Sequence, residues 1–187
     1  MLRELVLPAY LPTLLWALAL GAVAPMVALS ARALGASTSV AALMVGLGLV
    51  VELILAVPVG KLVDRAGERR TMLAAAGLLA VSALIGWRAQ SLWQLAAAVV
   101  LQAPCVVAFI VARMGYIADA VPVSLRGRAL SVLGGVARVG MLVGPLIAAP
   151  VIAAAGAQSA YLVGLVAATV GGIVIAFTVR DPHHHRS

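Results

Sequence analysis

Six long apolar runs separated by short polar breaks constrain this chain more than any other feature. They cover residues 7–29, 39–59, 71–87, 92–116, 129–155 and 160–179. A helix crosses the hydrocarbon core of a bilayer with roughly 17–25 residues, and each run is long enough. A backbone in lipid must satisfy its own hydrogen bonds, so helix is the expected state of every run. Strands of a membrane barrel would alternate in hydropathy over about 10 residues, and that pattern is missing. Composition removes the soluble alternative. Of 187 residues, 64% are hydrophobic and 10% charged, against roughly 45–50% and about 25% in soluble domains. The expectation is an all-α membrane protein: a six-helix transmembrane domain over residues 1–180 and a polar cytoplasmic tail over 181–187. Arg3, the apolar stretch 11–20 and Ala22-Val23-Ala24 imitate a signal peptide. The run continues to Ala31 and five more follow, so it is read as an uncleaved first span.

Basic residues set the orientation. Nine fall on one side of the spans: Arg3, Lys61, Arg65, Arg69, Arg70, Arg126, Arg128, Arg180 and Arg186. Two, Arg32 and Arg88, fall on the other. Positive charge stays inside, which puts both termini in the cytoplasm. Trp87, Trp93 and Tyr161 are then expected at the outer interface, and Tyr10, Tyr116 and Phe177 near the inner one. The net charge of +7 is spread over these gaps and forms no basic face, so it argues against a nucleic-acid partner. Cys105 alone excludes an internal disulfide. All three histidines, His183 to His185, lie in the tail, and neither HExxH nor Gly-x-Ser-x-Gly occurs. No metal centre, cofactor or enzymatic activity is expected.

Ionisable groups inside spans are candidates for function, because an unpaired charge there costs several kcal/mol. Arg113 lies near the inner end of its run, where it either snorkels to the interface or pairs with Asp64 or Asp119. Glu52 and Arg138 lie deeper, each about 13 Å from the cytoplasmic boundary at about 1.5 Å per residue. Equal depth and opposite charge suggest either a substrate or proton pathway or a buried structural ion pair. Gly48, Ala56 and Gly60 fall at four-residue steps with Glu52, which turns it toward other helices. Asp64, set among cations, is expected to be ionised and paired.

The segment Gly60-Lys61-Leu62-Val63-Asp64-Arg65-Ala66-Gly67-Glu68-Arg69-Arg70 reads as a tight cytoplasmic turn between the second and third spans. It resembles the second-to-third-helix motif of the major facilitator superfamily, Gly-x-x-x-Asp-Arg-x-Gly-Arg-Arg. Gly60, Asp64, Arg65, Gly67 and Arg69 match, and Glu68 stands where the family usually has Arg or Lys. Asp119-Ala120-Val121-Pro122 with Arg126 is similar to the family's fourth-to-fifth-helix loop. The resemblance implies that these residues, with Arg113 and Asp119, form a conformational latch between two halves and not a substrate site. Gly140-Met141-Leu142-Val143-Gly144-Pro145 looks like the Gly-x-x-x-Gly-Pro element of the family's antiporters, with Ala148 and Ala149 replacing the glycines that usually follow. Small residues four apart also let membrane helices pack closely. The arginine that family antiporters carry before a Gln-Gly pair is absent: Val99 precedes Leu101-Gln102-Ala103.

The resemblance covers one six-helix half of a twelve-helix fold, built of two inverted three-helix repeats of about 1–89 and 90–180. It implies a secondary active transporter of a small solute in the plasma membrane, working by alternating access, with proton-coupled efflux as one option. The missing wall is expected from a parallel homodimer or a separate C-terminal half. The alternatives are a transport-inactive truncated fragment, a non-transporting helical membrane protein, or a channel.

Overall fold

The structure, a computed structural model, describes residues 5–179, so the tail 181–187 lies outside the described residues. A π-helical turn, Val6–Tyr10, leads into α1 (Leu11–Ala33). Four helices follow: α2 (Thr38–Ala66), α3 (Glu68–Arg88), α4 (Leu92–Ala120) and α5 (Val123–Ala155). A 3-10 turn, Ala157–Ser159, then opens α6 (Ala160–Thr178). All six helices are long and apolar enough to cross a membrane, and no strand occurs among the described residues.

Local chemistry sets the helix ends. The hydroxyls of Ser37 and Ser91 accept from the backbone N–H groups of Val40 and Gln94, capping α2 and α4 at 3.3 Å each. One residue, Gly67, separates α2 from α3. Its φ of 83° lies in the left-handed region. Its N–H donates to Val63 at 2.9 Å, and the Thr71 hydroxyl donates to its carbonyl at 2.8 Å. A Cβ in that conformation costs roughly 1–2 kcal/mol. Gly67→Ala is therefore expected to lower unfolding free energy by about that amount, readable by denaturant titration of the detergent-solubilised chain.

The segment 60–70 is not the loop that its polarity suggested. α2 continues through Lys61, Asp64 and Arg65 to Ala66, and α5 begins at Val123, before Arg126 and Arg128. Helix formation requires no apolar side chain once a strong start exists. With 29 residues α2 measures about 44 Å, against a hydrocarbon core of about 30 Å, so its charged end lies beyond the apolar layer. Asp64 is exposed on this extension and makes no ion pair among the described residues, contrary to the paired state expected from its cationic neighbours.

Packing follows a regular scheme. α1 lies along α5 and α2 along α4; α3 packs on α4 and α6, and α6 also on α1. Exchanging the first three helices for the last three leaves this set of pairings unchanged. Trp16 of α1 stacks on Phe109 of α4 at the centre, rings 4.1 Å apart and within 3° of parallel. Tyr10 and Tyr161 are buried, each in a separate apolar cluster from Trp16 and Phe109. The Tyr161 hydroxyl donates to Ser30 at 3.4 Å, and its ring covers Gly86. Trp93 and Phe177 are exposed, each at 86%. The tightest seam joins α1 to α5. A Cβ added at Gly140 would lie 2.7 Å from the Leu14 carbonyl oxygen, and one at Gly21 2.5 Å from that of Met141. At Gly144 it would strike the Leu18 carbonyl and the Ala22 nitrogen. The two backbones touch, which the absence of side chains permits. Pro145 continues the same helix, where the backbone bonds it forgoes are tolerated in a packed membrane helix.

Candidate functional site

Glu52 is the midpoint of α2, 14 residues from each of its ends, and so about 21 Å from either. Ala41, Met44, Gly48, Glu52, Leu55, Val59 and Val63, none of them exposed, recur at three- and four-residue steps along α2. That stripe is the face turned to α4 and α1. Gly48, one turn before Glu52, brings the helices close: a Cβ there would sit 3.3 Å from Val99 of α4.

A cavity of about 160 Å³ opens between the three helices. α1 contributes Ala24 and Val27, α2 Met44, Val45, Gly48, Leu49 and Glu52, and α4 Val99, Gln102 and Ala103. Two side chains in this lining are polar, Glu52 and Gln102. Neither has a hydrogen bond or ion pair with any described residue. In the sequence Gln102 stands out only through the Leu101-Gln102-Ala103 stretch, where the antiporters' preceding arginine is absent. Its significance comes from the α2–α4 packing that sets it on the same cavity as Glu52.

Arg138 lies at a comparable depth, 15 residues after the start of α5 and 17 before its end. The structure does not bring it to Glu52. α2 and α5 share no packed interface, Arg138 is exposed, and no ion pair joins the two among the described residues. The internal pair suggested by depth and charge is absent because each helix packs on a different partner, α2 on α4 and α5 on α1.

The residues grouped as a latch scatter along one end of the bundle. Gly60 has open space around it, and Asp64, Arg65 and Asp119 are exposed. Arg69 reaches within the same bundle, donating from Nη2 to the carbonyl of Ala176 at 2.9 Å. It thereby places a cation at the carbonyl end of α6, where the helix dipole favours one. Arg113 sits over the Phe109 ring at 5.8 Å, with its Nε unsatisfied, and pairs with neither Asp64 nor Asp119. The Glu68 carboxylate packs against α4 at Gly115, where an added Cβ would be 3.3 Å away.

Two larger hollows differ in kind. One of about 350 Å³ between α2, α3 and α4 is walled by Val59, Leu62, Leu78, Pro104 and Cys105, with Arg70 and Thr71 as its polar members. Another of about 430 Å³ between α1, α5 and α6 is wholly apolar. Surfaces of that kind suit lipid chains. Among these hollows, only the Glu52 cavity sets a carboxylate at mid-span. No group of three or more candidate metal ligands occurs among the described residues.

A family model described as Major Facilitator Superfamily matches residues 10–187, nearly the whole chain. No curated protein matches it.

Proposed function

The chain belongs to the major facilitator superfamily, and from that premise we propose that it moves a small solute by alternating access past Glu52, with a proton as coupling ion. As a member of this family it is a multi-pass membrane transporter of the major facilitator type. The observation that carries the finer reading is the mid-span cavity in which Glu52 and Gln102 stand without partners. A lone carboxylate in an apolar bundle is costly unless it takes up a proton or a counter-ion, which is the property a coupled carrier requires.

The proposed topology has both termini in the cytoplasm of a plasma-membrane protein, supported by the nine-to-two distribution of basic residues. The exchangeable helix pairings support two inverted three-helix units. α2 and α5 are the least buried spans. Their open faces are where a second copy, or a separate six-helix half, would complete the pathway, with Arg138 turned toward it. Native mass spectrometry from nanodiscs reads this directly. A dimer is the expected result; a clean monomer would shift the assignment to a separate half.

The transport reading is tested in proteoliposomes holding a pH gradient. Small organic cations, anions and neutral solutes are added in turn while internal pH is recorded. Saturable, solute-dependent collapse of the gradient is expected for one class. Unsaturable, voltage-driven flux would make the chain a channel, and no flux with any class would leave a transport-inactive protein.

A further inference from the structure

We infer that the Glu52–Gln102 cavity binds a small protonated amine, with the ammonium on the Glu52 carboxylate and the Gln102 amide oxygen and the alkyl groups against Val27, Met44 and Leu49. The inference deepens the transport reading by naming its substrate class.

Charge selects the sign of the ligand. The cavity holds one carboxylate and no cation: Arg138 is on a helix that does not pack on α2. Nor does any other titratable group face Glu52. α1 offers Ala24 and Val27, and α4 offers Val99, Gln102 and Ala103. The cationic groups of α3, Arg69, Arg70 and Arg88, lie at its two ends. An anion would meet Glu52 without compensation.

Coordination separates organic from inorganic cations. Calcium is held by about six to eight oxygens, and sodium in membrane carriers by unwound backbone carbonyls. Here α1, α2 and α4 remain helical through the cavity, and the carbonyls that Pro25, Pro58 and Pro104 leave free, those of Gly21, Ile54 and Val100, are not in its lining, so the side chains supply three oxygens at most. The walls are aliphatic, so they suit an apolar body. They also hold no aromatic ring, the usual recognition element for quaternary ammonium. Both polar groups can accept from N–H, and a charge-assisted N–H···O bond is among the stronger ones available. A ligand that keeps an N–H therefore fits better than one fully alkylated. The volume of about 160 Å³ equals the space of roughly five liquid waters, which suits a short-chain amine.

Proton and amine compete for one carboxylate. Binding of the ammonium to protonated Glu52 releases that proton to solvent, so affinity rises with pH until Glu52 is fully ionised or the amine itself loses its proton. Such competition is what an amine/proton exchanger needs.

The test is isothermal titration of triethylammonium chloride into the full chain in nanodiscs, with tetraethylammonium as the probe that lacks an N–H. One saturable site is expected, at least tenfold tighter for triethylammonium and tightening from pH 6 to pH 8. Glu52→Gln should weaken binding at least tenfold, Gln102→Leu severalfold, and Glu52→Asp less than Glu52→Gln. Circular dichroism and melting of each variant show that it is folded. Equal binding by wild type and a folded Glu52→Gln, equal affinity for the two probes, or no saturable binding would overturn the inference. Because this measures binding alone, it can fail while the proteoliposome assay finds another transported solute, or succeed where no flux is seen.

Discussion

Replacing Gly144 with valine is expected to destabilise the bundle by about 3 kcal/mol or more, the upper end of the usual cost of overpacking. The atoms in the way are the Leu18 carbonyl and the Ala22 nitrogen of α1, and backbone cannot swing aside as a flexible side chain can. The neighbouring helices would have to separate along the seam that also holds Gly21 and Gly140. Gly134→Ala, on the same helix, is the control. A Cβ there meets nothing within 4 Å, and alanine favours helix over glycine by up to about 1 kcal/mol. The two variants should therefore move in opposite directions, or at least differ by several kcal/mol, in unfolding of the detergent-solubilised chain. Equal stability of the two would mean that α1 and α5 do not touch in the membrane.

The second large effect is on transport. Glu52→Gln keeps the shape of the side chain and removes its charge and its exchangeable proton. Solute-dependent collapse of a pH gradient is expected to fall at least roughly tenfold, corresponding to about 1.4 kcal/mol on the barrier. Uptake that is unchanged, with an unchanged pH dependence, would remove Glu52 from the proton path. Ile173→Ala makes a useful comparison: Ile173 is 53% exposed on α6, a helix that lines neither the cavity nor the open faces of α2 and α5. Its effect on flux should be minor.

Much of this architecture is readable from the chain because the bilayer simplifies the problem. Hydropathy locates the spans, and lipid leaves helix as the state for each. Helix ends are less accessible to that reasoning. Lys61, Asp64 and Arg65 mark the end of the apolar layer, not the end of α2, which stops only where Gly67 takes a positive φ. Depth in the membrane is likewise legible from residue counts, and Glu52 and Arg138 do lie near the middles of their helices. Azimuth and partnership are not. Whether two residues at one depth meet depends on which helices pack, and α2 with α4 and α1 with α5 leave this pair apart. Gln102 illustrates the same limit from the other side. Its place in the Leu101-Gln102-Ala103 stretch gives no tie to Glu52 until the α2–α4 contact brings it onto the same cavity. The Gly140–Gly144 spacing is legible as a close-packing element, but its partner, Gly21 of α1, becomes evident only in three dimensions.

Alternating access past Glu52 is tested most directly at Leu49. This residue lines the cavity, is 64% exposed, and lies three positions before the carboxylate on the same helix. The single native thiol, Cys105, is 2% exposed and donates to the Leu101 carbonyl at 3.1 Å, a bond that serine can keep. In a Cys105→Ser background, Leu49→Cys would be exposed to a membrane-impermeant thiol reagent from one face of sealed proteoliposomes and then from the other. Modification from both faces, slowed by a transported solute, is the result this account predicts. Reaction from one face only, at a rate indifferent to any solute, would contradict it.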